Sequence, residues 1–206
     1  MKFSNWEQGT AEWLAERRGV ITASRFRDAL DTLKSGDPSS KSTLYAQDVA
    51  RERCGGTVFG PYVNAQMRYG TEQEPAAREA YERKYGVFVE QVGFFKTDDS
   101  LFGVSVDGLV EDDGGIEIKT LASSDVLFSV LVGKDYSSFV HQVMAGMWLL
   151  GRKWWDLVLW TPDLSKQMHV VRFNRDDDKI NDMESKLMKF AGRVAEYEKK
   201  LKDALQ

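Results

Sequence analysis

Asp107, Glu117 and Lys119 are the residues of this chain whose types and spacing could do chemistry, in the pattern D-x9-E-x-K. Glu117 and Lys119 lie in the run Ile116-Glu117-Ile118-Lys119, which reads as a strand. Side chains alternate across a strand, so the acid and the amine share one face while the two isoleucines share the other. If the preceding strand pairs with this one through the turn Asp112-Asp113-Gly114-Gly115, Asp107 can approach the same face. Two carboxylates and an ammonium in one pocket suit magnesium, which takes oxygen ligands, keeps several waters and needs only one or two carboxylates beside a substrate phosphate. Such a site hydrolyses phosphodiesters by acidifying water and neutralising charge on the phosphate, with Lys119 orienting the nucleophile. The pattern alone is not specific, because alternating Glu and Lys also mark a solvated edge strand.

A second group of chemistry-bearing residues stands at the N-terminus, where Trp13 and Arg17 precede Gly19-Val20-Ile21-Thr22-Ala23-Ser24. An arginine with Thr and Ser hydroxyls at a helix start can receive a phosphate, combining a charged fork, neutral donors and the positive end of the helix dipole. Taken singly, Ser24 also reads as a helix cap.

The elements that must position these groups follow from periodicity. Helices are expected near 10–18, 23–33, 42–54 (capped by Ser42) and 71–85, with a polar loop from Ser35 to Ser42. Glu74 stands three residues after Thr71, the spacing of a capping box, with Pro75 in the first turn. Three consecutive strands are expected over 87–96, 101–110 and 115–120, then helices over 123–133 and 137–150 and strands over 154–161 and 167–174. From Asp176 onward, Ile180, Met183, Leu187, Phe190, Val194, Tyr197 and Leu201 form one apolar helical stripe, suited to packing on its own domain or on a sister subunit. A strand-rich centre wrapped by helices is α/β (α+β), and 206 residues without an internal linker suggest a single domain over 1–206.

Composition narrows the classes. At 42% hydrophobic and 29% charged residues the chain is neither disordered nor fibrous, and its longest apolar run, 143–151, falls short of the ~18 residues of a membrane span. Glu7 interrupts any secretory core, so a cytoplasmic protein is expected. Cys54 is the single cysteine, which excludes an internal disulfide and a cysteine-type zinc site. The net charge of −4 is not that of a general nucleic-acid binder, so any phosphate attraction must come from local basic clusters.

Four blocks carry a resemblance: Trp13 to Ser24, Tyr69-Gly70-Thr71-Glu72-Gln73-Glu74, Ser105 to Leu109 with Glu117-Ile118-Lys119, and His141-Gln142-Val143 leading to Met147-Trp148. In this order and spacing the chain resembles the lambda exonuclease family of phage alkaline exonucleases, YqaJ-like members included. That family lies in the PD-(D/E)xK restriction-endonuclease-like superfamily, and Val106 stands where the motif's name has proline. The resemblance implies a central mixed β-sheet flanked by helices, and a magnesium-dependent, processive 5′-to-3′ exonuclease on linear duplex DNA, with manganese able to substitute. It also implies 3′ single-stranded overhangs for phage recombination, a homotrimer ring threaded by DNA, and a single-strand annealing recombinase as partner in a phage-infected or lysogenic bacterium.

Matched by position, Asp107, Glu117 and the Ile118 carbonyl would bind metal, Lys119 would serve the attacking water, and Glu74 and Gln142 would complete the site. Arg17 with Ser24 and Ser105 would recognise a 5′-phosphate, and Met67 falls where the family places a strand-separating wedge. Gln142 on an apolar helix reads equally well as a satisfied core amide. Two other readings share these residues: a structure- or sequence-specific endonuclease, and a DNA-binding relative that has lost catalysis. Arg17 favours the end-directed enzyme, because a terminal-phosphate pocket has no use in internal cleavage.

Overall fold

The computed structural model describes residues 1–6, 8–58 and 65–206. The chain forms two compact units that are interleaved in sequence. The first takes residues 1–60, 93–105 and 176–206, and the second takes 61–92 and 106–175.

The first unit holds β1 (Lys2–Ser4), α1 (Ala11–Arg17), β2 (Ile21–Thr22), a 3-10 turn (Ala23–Arg25) leading into α2 (Phe26–Ala29), and α3 (Ser40–Arg53). Its four-stranded sheet has the order β1-β4-β5-β2, with β4 at Phe94–Lys96 and β5 at Phe102–Ser105. Strand β2 runs parallel to β5, and the other pairs are antiparallel. The long α7 (Asp177–Ala204) lays Ile180, Met183, Leu187, Phe190 and Val194 inward, and it packs on α3, with the Tyr45 and Phe190 ring centroids 5.3 Å apart. The apolar stripe is therefore consumed within its own unit as far as Val194. Ser39, not Ser42, caps α3; Ser42 is buried, donating to the Ala29 carbonyl at 2.7 Å and accepting from Arg193 at 2.7 Å. A positive φ of 72° at Gly19 lets the chain turn from α1 into β2, where its N–H reaches Glu52 and its carbonyl accepts from Arg53, each at 2.8 Å.

The second unit holds α4 (Ala65–Tyr85), β3 (Val89–Glu90), β6 (Gly108–Val110), β7 (Gly114–Thr120) and α5 (Ser124–Leu127), which runs into a wider turn (Phe128–Val132). Then come α6 (Ser137–Leu149), β8 (Trp154–Trp160) and β9 (Met168–Asn174). The sheet order is β3-β6-β7-β8-β9, with β7 and β8 parallel and the rest antiparallel. Parallel neighbours need a crossover, and α5 and α6 supply it. Ala77 and Tyr81 of α4 share a core with Ile116, Ile118, Val158 and Trp160. Trp155 points to the other sheet face, where Gly146 of α6 allows its ring to lie close. The five-stranded mixed sheet flanked by helices is the α/β core expected from the sequence. No helix among the described residues is long and apolar enough to cross a membrane.

Two expected strands are each broken in two. The run 87–96 becomes β3 and β4 in different sheets, and 101–110 becomes β5 and β6, again in different sheets. Both breaks fall where the chain passes between units. At the first, Gly93 approaches the Ser4 carbonyl so closely that a Cβ would lie 2.0 Å from it. The capping box also fails: α4 begins at Ala65, Pro75 lies inside it, and the Thr71 hydroxyl donates backward to the Met67 carbonyl at 3.2 Å.

Candidate active site

Strand β7 is the backbone of the site in the second unit. Gly114 and Gly115 allow its close approach to Trp154 and Trp155 of β8, and the alternation of the following residues buries Ile116 and Ile118 in the core shared with α4. Glu117 and Lys119 consequently face the other way together, with Glu117 Oε1 2.6 Å from Lys119 Nζ. Glu117 is 2% exposed, whereas the Lys119 side chain keeps 29%. Asp107 occupies the break between β5 and β6, and its Oδ2 accepts the Ile118 N–H at 2.6 Å. The hairpin of β6 and β7, in register Gly108↔Ile116, brings Asp107 to β7 as the sequence suggested. Glu74 comes from the middle of α4, partly buried, with Arg78 Nη1 3.6 Å from its Oε1.

Three carboxylates thus share one partly dry pocket with one lysine. Burial pushes the Glu117 carboxyl up to about 8, with the charge of Asp107 adding to the rise and Lys119 opposing it. Burial, then repulsion from Asp107, takes Glu74 to about 7 against the pull of Arg78 and Lys119. Asp107 is also raised by burial, opposed by Lys119 and the Ile118 N–H. For Lys119, burial alone would lower the pKa, but Glu117, Asp107 and Glu74 together outweigh it and hold the amine above its ordinary value. Negative charge in excess, all on oxygen donors, fits a hard divalent cation. No three of Asp, Glu, His or Cys among the described residues form a ready cage for an ion. Lys119 and the Ile118 N–H occupy one oxygen each of Glu117 and Asp107. Magnesium, holding most of its own waters, needs no such cage.

Gln142 lies half-buried on α6 and makes no hydrogen bond to the carboxylates among the described residues. Met67 stands in the first turn of α4, 50% exposed, seven residues before Glu74 and so on the same face of the helix.

In the first unit, Arg17 ends α1 with its guanidinium 4.1 Å from the Trp13 ring centroid and 5.4 Å from that of Phe94. Nη1 donates to Ser105 Oγ and Nη2 to Ser24 Oγ, both at 3.3 Å. Trp13 Nε1 also donates to Ser105 Oγ at 3.0 Å, and Thr22 Oγ1 lies 3.4 Å from Ser24 Oγ. No carboxylate among the described residues pairs with Arg17 at ion-pair distance. Burial lowers its pKa to about 10, with only distant help from Tyr45 and Glu52. A partly desolvated cation satisfied by hydroxyls and ring faces has the chemistry to receive an anion. Arg17, Ser24 and Ser105 are therefore brought together as expected. Phe94 and Thr22 are additions: β4 and the end of β2 place them there, and only Thr22 had a signal in the sequence. Arg78 is another addition, signalled by its i,i+4 spacing from Glu74.

Comparison with curated proteins gives no match. Among solved structures, an alkaline exonuclease from Laribacter hongkongensis is 33% identical, with 95% of this chain and 98% of that chain aligned at a TM-score of 0.83. The same enzyme in complex with dAMP aligns over the same shares at 32% identity and TM-score 0.83. A phage-related exonuclease from Haemophilus somnus 129PT, 15% identical over 91% of this chain and 96% of that one at TM-score 0.69, shares the fold. Residues 12–153, which include both clusters, match the YqaJ-like viral recombinase domain, and the chain belongs to that family.

Proposed function

We propose that this protein is a magnesium-dependent exonuclease that digests one strand of a linear DNA duplex from its 5′ end. The observation that carries the reading is the convergence of Glu74, Asp107 and Glu117 on Lys119 in a largely buried pocket. Residues of this kind hydrolyse phosphodiesters when a hard cation joins them. The Laribacter hongkongensis exonuclease was solved with dAMP, a nucleoside monophosphate of the kind that hydrolysis from a 5′ end releases.

Each group then has a task. Asp107 and Glu117, with the Ile118 carbonyl, would hold magnesium or, in its place, manganese, and Glu74 and Gln142 would complete the site. The bound ion supplies an acidified water and neutralises charge on the attacked phosphate. Lys119 orients the attacking water and offsets the negative charge that develops. Arg17, Ser24 and Ser105 hold the terminal 5′-phosphate, and Ser105 and Asp107 are only two residues apart in the chain. Met67 acts as the wedge that parts the strands. The family resemblance adds processivity through a homotrimer ring, a 3′ overhang handed to a single-strand annealing recombinase, and a setting in the bacterial cytoplasm. An endonuclease would have no use for the Arg17 cluster, and a relative that had lost catalysis would not need Lys119 beside Glu117.

Linear duplex labelled at either end, beside a closed circular duplex, tests the reading with and without magnesium. We expect nucleotide release from linear 5′ ends only, and only with magnesium. Cutting of the circle, or equal release from both labelled termini, contradicts it.

A further inference from the structure

Arg78 has no place in the chemistry described so far, yet its side chain is only 12% exposed and touches three parts of the site. Nη1 lies 3.4 Å from the Asp107 carbonyl and 3.6 Å from Glu74 Oε1. With the Gln91 amide oxygen turned toward the guanidinium, it lies 2.7 Å from Nη1 and 3.0 Å from Nη2. Asp107 needs such support. It sits in the break between two strands, outside any ladder, so neither sheet fixes its backbone. Its side chain is tied to β7 through the Ile118 N–H, and its carbonyl is tied to α4 through Arg78. Glu74, from the same helix turn as Arg78, has no other ion pair among the described residues.

We propose that Arg78 is the positioning residue of the carboxylate site: with Gln91 holding both prongs of its fork, its Nη1 bridges Glu74 and the Asp107 carbonyl and fixes the distance between them. The planar guanidinium is suited to this because it can donate to several acceptors at once in fixed directions. It acts through Glu74 and Asp107, touching neither substrate nor cation. The inference rests on the metal-dependent reading above and deepens it.

The sign of one effect separates positioning from electrostatics. Removing a cation beside a divalent-ion site strengthens ion binding if charge alone matters, and weakens it if the cation was holding the ligands in place. Manganese binding to the full-length protein without DNA, followed by the loss of the free-ion paramagnetic resonance signal, reads this directly. We expect Arg78→Met to weaken manganese binding by about ten-fold or more, the scale on which residues that orient metal ligands act. Arg78→Lys, which keeps the charge and loses the fork, should recover only part of it, and Gln91→Leu, with no change of charge, should weaken binding by a smaller factor. Unchanged or tighter binding in Arg78→Met overturns the proposal; should that variant not fold, wild-type affinity in both Arg78→Lys and Gln91→Leu overturns it equally. Wild-type protein that binds no manganese, or Glu117→Gln protein that binds it as well as wild type, defeats the parent reading and the clamp with it. Loss in Glu117→Gln beside wild-type affinity in the Arg78 and Gln91 variants leaves the parent reading standing and overturns the clamp alone.

Discussion

Glu117 is the residue on which most of the site's electrostatics turns. It is buried, faces Asp107, and has Lys119 as its ion-pair partner. Its folded pKa of about 8, and that of Glu74 at about 7, both lie above the unfolded value of 4.5. Between 4.5 and about 8 the folded protein therefore holds protons that the unfolded chain has lost. Stability of the metal-free protein should fall as pH rises through that window, with a slope of up to about 1.4 kcal/mol per pH unit for each proton held. A divalent ion competes with the same protons, so its stabilising effect should grow with pH. Melting curves at about pH 6 and about pH 9, with and without magnesium, check this, and an equal magnesium shift at both would contradict it. At Arg17, whose guanidinium meets hydroxyls and rings among the described residues, alanine should slow digestion of 5′-phosphorylated ends by roughly ten-fold or more, as loss of a charged hydrogen bond implies. Equal slowing on 5′-hydroxyl ends would remove the phosphate pocket. Glu117, Lys119, Asp107 and Arg17 were legible because strand alternation and motif spacing carry them. Phe94 and the role of Arg78 were not, since each depends on contacts distant in sequence.

Among the elements, α1, α3, α6, α7 and the strands β7, β8 and β9 follow the apolar periodicity closely. The helix expected over 23–33 is only a 3-10 turn with the four-residue α2, and that over 123–133 only the four-residue α5 with a wider turn. The other faults lie where periodicity is blind. A run such as 101–110 is apolar throughout, and nothing in its pattern marks Val106-Asp107 as the point where β5 ends and β6 begins in another sheet. The pattern Thr71-x-x-Glu74 is a sound capping signal, but α4 already has a turn and a half in place before Thr71, so the hydroxyl is left to bond backward. The glycines of β7 were read as turn residues, yet Gly115 also gives Trp155 its room, since a Cβ there would lie 2.4 Å from the buried ring. Gly115→Ala should cost about 1–3 kcal/mol through overpacking and lower the melting temperature by several degrees. Because Glu117 is two residues along the same strand, hydrolysis should fall as well. An unchanged melting temperature would show that β7 can shift freely against β8.

At the scale of the whole molecule, the interleaving of two units could not be read from a sequence that has no linker and no change of composition at 60, 92, 105 or 175. Arg17 and its hydroxyl partners belong to the first unit and the carboxylates to the second, and the proposed end-directed hydrolysis calls on both. The α7 stripe is buried in its own unit up to Val194, which leaves other surfaces for the proposed ring. Sedimentation at micromolar protein should give the mass of a trimer, and a monomer would remove the ring from the account. The central claim, that Glu74, Asp107, Glu117 and Lys119 form a hydrolytic centre, is met most directly by nucleotide release from a 5′-phosphorylated linear duplex in magnesium, comparing wild type with Lys119→Ala. The account predicts a loss of about a hundred-fold or more, on the scale of removing one group that stabilises developing charge; equal rates for the two proteins would contradict it.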